Sequence, residues 1–339
     1  MPALLWDVYC RVVDNLGDAG VCWRLAAGLA ARGQRVRLVI DDVTPLAFMA
    51  PQGAAGVEVL AWPGPATPGD VVIEAFGCDP PAHTVAAMAQ RQPPPVWLNL
   101  EYLSAEPYVE RSHRLPSPQR NGLTKWFFYP GFNARTGGLL REVGLLDRRS
   151  AFVREDWLRT QGIDLRAGER IVTLFCYDNP ALPALLADLA QQPTLLLLTS
   201  GPAQRQVTRA PPGVRLHKLQ WLAQTDFDHL LWASDINFVR GEDSLVRALW
   251  AGNGFVWQAY PQHDGAHAAK LDALLAAWQA PPAVAELWRA WNGLRPGWPG
   301  LPPTWAAETR AWRQVLQAQP DLVTQLLQFV ASQRSGADC

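Results

Sequence analysis

The feature that most constrains the fold of this chain is a series of largely apolar, non-alternating runs of strand length. LLWDVYCRVV (4–13), VRLVI (36–40), VEVLAW (57–62), DVVIEAF (70–76), VWLNL (96–100) and KWFFYP (125–130) follow one another through the first half. A sheet with one wet face would alternate apolar and polar residues. Continuous runs belong to strands buried on both faces, as in a parallel sheet sandwiched between helices. The intervening sequence agrees: Val21, Cys22, Leu25, Ala26, Leu29 and Ala30 recur at three- and four-residue spacing before Gly33, which predicts a helix and its stop between the first two strands.

After the glycine-containing stretch RTGGLLREVGLLDRRSAF the pattern restarts with RIVTLFCY (170–177), then LLLLTS (195–200), VRLHKL (214–219), DINFVR (235–240) and GFVWQAY (254–260). LPALLADLAQ and DFDHLLWAS supply helices between them, and from residue 267 onward the pattern is largely helical, broken by WNGLRPGWPGLPPTW. The expectation is an α/β protein of two Rossmann-like domains facing a central cleft, residues 1–155 and 156–320, with a C-terminal helix and tail at 321–339.

Composition narrows the function classes. An apolar share of 49% against 18% charged residues describes a chain that folds compactly. Thirty basic residues against 31 acidic ones leave a formal charge of −1, so no general attraction to nucleic acid or anionic membrane is expected. No tract approaches the roughly 18 uninterrupted apolar residues of a membrane span. Asp7 and Arg11 interrupt what would otherwise be a signal sequence. The five cysteines are scattered without a C-x-x-C pair, which fits reduced thiols, a cytoplasmic location and no zinc site.

Ligands of open parallel sheets bind beyond the carboxyl ends of the strands, and two loops with chemistry stand at such places. DNLGDAG (14–20) joins a strand to a helix and carries two carboxylates, Asp14 and Asp18. It lacks the G-x-G-x-x-G spacing of a dinucleotide fingerprint. Asp18 could simply cap the helix while Gly17 supplies the turn, but that leaves Asp14 without a purpose. A pair of carboxylates there can hold a cation, bind a guanidinium or ammonium, or accept a proton from an attacking nucleophile.

The second loop is FVRGEDSLVRALWAG (238–252). Ser244 or Asp243 is placed to cap a helix bearing Leu245, Val246, Leu249 and Trp250, and Gly241 permits close approach of a ligand. A helix N-terminus beside Arg240 suits a diphosphate, since N–H groups, dipole and guanidinium all favour an anion. Glu242 would repel that anion and is expected to face a sugar hydroxyl, a ribose or a cationic acceptor. Phe175 and Tyr177 end a strand in FCYDNP, where they either stack on a flat ring or pack as ordinary aromatics. The 16 tryptophans read as core and interface residues, with Trp221 in LQWLAQ left to line the cleft. His263 and His267 in YPQHDGAH could share a metal on a helix, but Gly265 between them and the lack of a carboxylate partner leave no metal assigned.

Taken in order, CRVVDNLGDAGVCWRLA, LFCYDNPALPALL and DFDHLLWASDINFVRGEDSLVRALWAG with its YPQ sequel resemble the elongation factor P arginine rhamnosyltransferases over nearly the whole chain. The family's usual forms have phenylalanine at Leu16 and commonly at Leu245, both apolar-for-apolar exchanges. The resemblance implies a GT-B glycosyltransferase that moves L-rhamnose from dTDP-β-L-rhamnose to one arginine of elongation factor P, with inversion and with neither metal nor cofactor. It further implies activation of that factor for relief of ribosome stalling at polyproline. On this reading Asp18 is the general base, Asp14 organises the acceptor guanidinium, and Glu242 is a third acid for catalysis or donor placement.

Donor contacts then fall on Asn15, Leu16 and Gly17 in the first loop and on Phe175, stacked on thymine, and Tyr177. They continue through Trp221, Leu222, Ala223 and Gln224, and end on Arg240, Gly241, Asp243 and Ser244. Elongation factor P is expected to dock mainly on the first domain and the donor on the second; membrane and nucleic acid are not expected partners. A guanidinium stays protonated below a pKa of about 12 and is a poor nucleophile, so an acid pair beside it has work to do. Two alternatives stand: a GT-B transferase with another nucleotide sugar and a small acceptor, and a nucleotide-binding protein without turnover. Against the latter, binding a diphosphate does not call for added negative charge.

Overall fold

The computed structural model describes residues 3–13, 16–261, 265–303 and 305–335. Its contacts divide the chain into two compact units, Met1–Val143 with Ala318–Cys339, and Gly144–Gln317.

Unit 1 is built on a seven-stranded sheet of order β3-β2-β1-β4-β5-β7-β6. Its strands are β1 (Leu5–Cys10), β2 (Arg35–Ile40), β3 (Val57–Ala61), β4 (Val71–Ala75), β5 (Val96–Leu100), β6 (Pro116–Pro118) and β7 (Thr124–Phe128). All pair in parallel except the edge strand β6, which runs against β7. The apolar runs anticipated every parallel strand. They missed β6, a Pro-Ser-Pro edge whose prolines cannot donate to a ladder and which carries no apolar signal.

The helices here are α1 (Gly17–Ala30), α2 (Leu46–Met49), α3 (Ala82–Gln90) and α4 (Pro107–Ser112). Both faces of the sheet are covered. Val8, Cys10, Ile73 and Leu98 form one core with Cys22, Leu25 and Leu29 of α1. On the opposite face, Tyr9, Val39, Val72 and Trp97 pack with Met88 of α3. Gly33, at φ 79°, ends the α1 turn with its N–H on the Ala30 carbonyl at 2.9 Å, a left-handed position that glycine takes without a Cβ clash.

Unit 2 carries a five-stranded, fully parallel sheet of order β10-β9-β8-β11-β12. Its strands are β8 (Arg170–Leu174), β9 (Thr194–Leu198), β10 (Val214–Lys218), β11 (Ile236–Arg240) and β12 (Gly254–Gln258). The helices are α5 (Leu145–Ala151), α6 (Arg154–Thr160), α7 (Leu182–Leu189), α8 (Pro202–Gln206), α9 (Gln224–Ala233), α10 (Glu242–Ala251), α11 (Ala266–Trp278), α12 (Pro282–Trp291) and α13 (Ala306–Gln317). Trp157 and Leu158 of α6 pack with Ile171, Leu195, Leu197 and Leu230. Much of the tryptophan content lies in this unit's packing: Trp288 meets Phe255 edge-on at 5.0 Å, Trp291 meets Phe238 at 4.8 Å, and Trp278 stacks on Trp312 at 5.2 Å.

The last helix, α14 (Leu322–Ser335), returns to unit 1, where Val323, Leu326, Phe329 and Val330 complete the core that holds Trp6 and Leu25. Asp321 fastens this return by accepting from the Arg32 guanidinium at 2.8 Å. The units thus divide twelve residues before the expected boundary at 155/156, and the described part of 321–339 is a core element of unit 1. Residues 144–155 carry only α5 and the start of α6, too short to display a helical apolar period, so no local pattern assigns them to unit 2. Among the described residues no helix is long and apolar enough to cross a membrane.

Candidate active site

In unit 1 the chain lays β2 and β3 on one side of β1 and returns with β4 on the other. The carboxyl end of β1 is therefore the topological switch point, where such sheets open a crevice for ligands. The acidic loop leaves from there. Asp14 and Asn15 lie outside the described residues.

Leu16 stands at the N-cap of α1, Gly17 is its first residue, and among the described residues no side chain caps this helix start. The capping role considered for Asp18 is thereby corrected. It sits inside the first turn, 3% exposed, where its Oδ2 accepts the Val13 N–H at 2.9 Å. An acid in the first turn is favoured by the helix dipole, and here it also ties Val13, just past β1, to the helix start. From the other side, Asp41 Oδ1 accepts the Val12 N–H at 2.9 Å. One turn along α1, the Cys22 thiol is pushed well up by its hydrogen bond with Cys10 and by burial.

Unit 2 has its own switch point, because β9 and β10 lie on one side of β8 and β11 and β12 on the other. There Arg240, ending β11, lays its guanidinium over the rings of Phe175 at 4.7 Å and Tyr177 at 4.3 Å, just beyond β8. Between those two residues in sequence, burial pushes the Cys176 thiol up to about 12, which keeps it protonated as a packing group.

Gly241, at φ 73°, is the N-cap of α10, and its carbonyl accepts the Trp257 indole N–H at 2.9 Å. The expected cap by Ser244 or Asp243 is not formed: the helix begins at Glu242, and among the described residues no side chain caps it. Asp243 instead lies within the first turn, and Ser244 is buried at 7% exposure. An uncapped helix start next to a guanidinium presents dipole and charge to an anion. Glu242, the acid that seemed out of place there, is hydrogen-bonded to the Lys270 ammonium from α11.

The segment 221–224 lies just past β10. Trp221 is half exposed, Leu222 packs with Phe227 against the unit's core, Ala223 is the N-cap of α9, and Gln224 is its first residue. Phe227 meets Phe175 edge-on at 5.4 Å, which ties this turn to the Arg240 stack. The structure thereby gathers Phe175, Tyr177, residues 221–224 and residues 240–244 at one end of one sheet, while Leu16, Gly17 and Asp18 belong to the other unit.

Sequence reasoning missed several supports. Asp228 on α9 and Arg247 on α10 form a buried two-point ion pair at 2.7 and 2.6 Å, which locks together the two helices that begin at the site. Gln258, closing β12, accepts the Tyr177 N–H at 2.9 Å, and Tyr260 meets the Tyr177 ring edge-on at 5.4 Å. A glutamine ending an otherwise apolar strand and a lysine in an alanine-rich helix were the available signals. His263 lies outside the described residues, and among those described no group of three His, Cys, Asp or Glu side chains is arranged to hold a metal.

The family model of the elongation factor P (EF-P) rhamnosyltransferase EarP matches residues 6–331. The chain belongs to the EarP family. A protein-arginine rhamnosyltransferase of Pseudomonas aeruginosa PAO1 is 44% identical to this EarP-family chain over 370 residues, covering 96% of it and 98% of the relative. One from Neisseria meningitidis serogroup B is 35% identical over 301 residues, covering 80% and 78%. A solved structure described as the structural basis for EarP-mediated arginine glycosylation of translation elongation factor EF-P superposes with a TM-score of 0.68 at 32% identity, covering 97% of this chain and 99% of that one. The calicheamicin glycosyltransferase CalG4, at 13% identity and a TM-score of 0.55 over 98% of this chain and 99% of its own, shares the fold. The protein is accordingly a glycosyltransferase of GT-B fold.

Proposed function

We propose that this chain transfers L-rhamnose from dTDP-β-L-rhamnose to the guanidinium of one arginine of elongation factor P, inverting the anomeric carbon without a metal. The modified factor then relieves ribosome stalling at polyproline. The observation that carries this reading is the division of chemistry between two switch points: a buried carboxylate, Asp18, in one unit, and Arg240 beside an uncapped helix start in the other. The names of the relatives, protein-arginine rhamnosyltransferases, support the acceptor chemistry.

In the reaction a guanidinium nitrogen forms a bond to the anomeric carbon as the bond from that carbon to the diphosphate oxygen breaks. Asp18 accepts the proton that the nitrogen gives up, and Asp14 holds the guanidinium plane by charge-assisted hydrogen bonds. The electron pair of the broken bond leaves on dTDP, whose charge is met by Arg240 and the start of α10, so the diphosphate departs without protonation. Glu242, oriented by Lys270, serves donor placement or catalysis as the third acid. Stacking of thymine on the face of Phe175 that Arg240 covers requires the guanidinium to turn from that ring toward the diphosphate. Asn15, Leu16 and Gly17 complete the donor contacts from the first loop.

Mixing the protein with elongation factor P and dTDP-rhamnose, then measuring intact mass, tests this directly. One added deoxyhexose on the factor is expected. No mass increase, with both proteins shown to be folded, sinks the proposal, and transfer from another nucleotide sugar to a small acceptor would replace it.

A further inference from the structure

We propose that the stacked rings of Phe76 and Tyr102 form a π ledge on unit 1 that seats the side chain of the acceptor arginine beside the Asp18 loop. This inference rests on the proposed function and adds to it a surface that fixes the guanidinium plane.

The argument starts from strand alternation. Along β4, Glu74 belongs to the α3 face, where its carboxylate accepts the Trp97 indole N–H at 3.0 Å. Ala75 turns to the opposite face and joins the α1 core. Regular alternation would send Phe76 back to the α3 side. Phe76 instead adopts φ 58°, a left-handed conformation rare for a bulky side chain, and its ring packs against the same core as Ala75 and Val12. The Phe76 N–H is held by the Leu100 carbonyl at 2.7 Å, and the next N–H, of Gly77, by the buried Asn99 Oδ1 at 3.3 Å. The strained turn is therefore anchored at two points. Its effect is to place an aromatic ring on the helix α1 side of the switch-point edge.

Tyr102, two residues past β5, stacks on that ring with centroids 4.4 Å apart and planes 14° from parallel. It is 41% exposed. β4 and β5 are the next two strands outward from β1, so the ledge begins about 5–10 Å from the end of β1 at ordinary strand spacing. It lies on the face covered by α1, whose first turn carries Asp18.

A guanidinium is flat, weakly hydrated and stacks on aromatic faces, whereas a lysine ammonium has no plane to stack. Carboxylates alone hold a guanidinium by its edges. A ring pair already locked face to face adds a preorganised plane, so a ledge of this kind also selects arginine over lysine.

Tyr102→Leu, which keeps apolar volume and removes the π face, is the test, with transfer to elongation factor P and binding of dTDP-rhamnose measured side by side. The KM for the acceptor is expected to rise about tenfold while donor affinity stays at the wild-type value. Tyr102→Phe is expected to recover most of the acceptor affinity. An unchanged acceptor KM in Tyr102→Leu, equal weakening of donor and acceptor, or a Phe variant as poor as the Leu variant each overturns the ledge. Failure of the wild-type protein to modify the factor overturns the proposed function and the ledge with it; wild-type transfer with an indifferent Tyr102 overturns the ledge alone.

Discussion

Asp18 and Arg240 show how much a single residue's setting decides. Asp18 looked like a helix cap and is a first-turn acid that accepts the Val13 N–H. If it is the base, Asp18→Asn lowers the transfer rate by at least about 100-fold, the low end for general base catalysis, while dTDP-rhamnose binding measured by calorimetry is retained. For Arg240→Ala the expected result is the reverse emphasis, a weaker donor complex, and an unaltered dissociation constant would refute its diphosphate role. A pH effect belongs to this scale as well. Burial, with Arg114 nearby, lowers the His113 pKa from 6.5 to about 4, and its Nδ1 accepts the Tyr129 N–H at 3.1 Å. The folded protein thus prefers the neutral ring. Its contribution to stability is complete above pH 6.5 and is lost as pH falls toward about 4, because the unfolded chain takes up the proton first. Melting temperatures recorded across that window are expected to fall less steeply for His113→Asn, which keeps an acceptor for Tyr129, than for the wild type.

At the scale of elements, the site depends on α9 and α10 beginning in register at the end of their sheet. The Asp228–Arg247 pair supplies that registration from inside the packing, with side chains 6% and 1% exposed. Removing one partner leaves a buried charge without its counterion, a change that costs about 3–5 kcal/mol. Asp228→Asn is therefore expected to lower the urea midpoint and to weaken donor binding although Asp228 is not among the proposed donor contacts. The strands and the loops 11–18 and 240–244 were legible because strand runs and strand-to-helix loops are local patterns. The caps were not. Whether Asp18 or Ser244 bonds the helix N–H groups depends on where the helix starts, and here both helices start one or more residues earlier than the capping readings required. The same limit hid Lys270, which reaches Glu242 across 28 residues of sequence.

For the whole molecule, the decisive feature is that unit 1 is closed by the end of the chain. Leu326 of α14 is fully buried in the core shared with α1 and β1, so Leu326→Ala is expected to destabilise unit 1 by about 2–5 kcal/mol. Calorimetric unfolding should show that loss in the transition of unit 1, with the transition of unit 2 displaced less. By itself the sequence determined the α/β class, the order of the parallel strands, the two switch-point loops and the family, since each is written in short contiguous stretches whose apolar period or residue pattern acts locally. Only the tertiary structure decided that residues 144–155 belong to unit 2, that α14 belongs to unit 1, that Lys270 meets Glu242, and that Phe76 turns its ring to lie on Tyr102. Those outcomes are set by packing between segments far apart in the chain, where burial and charge pairing select among partners that no local pattern names.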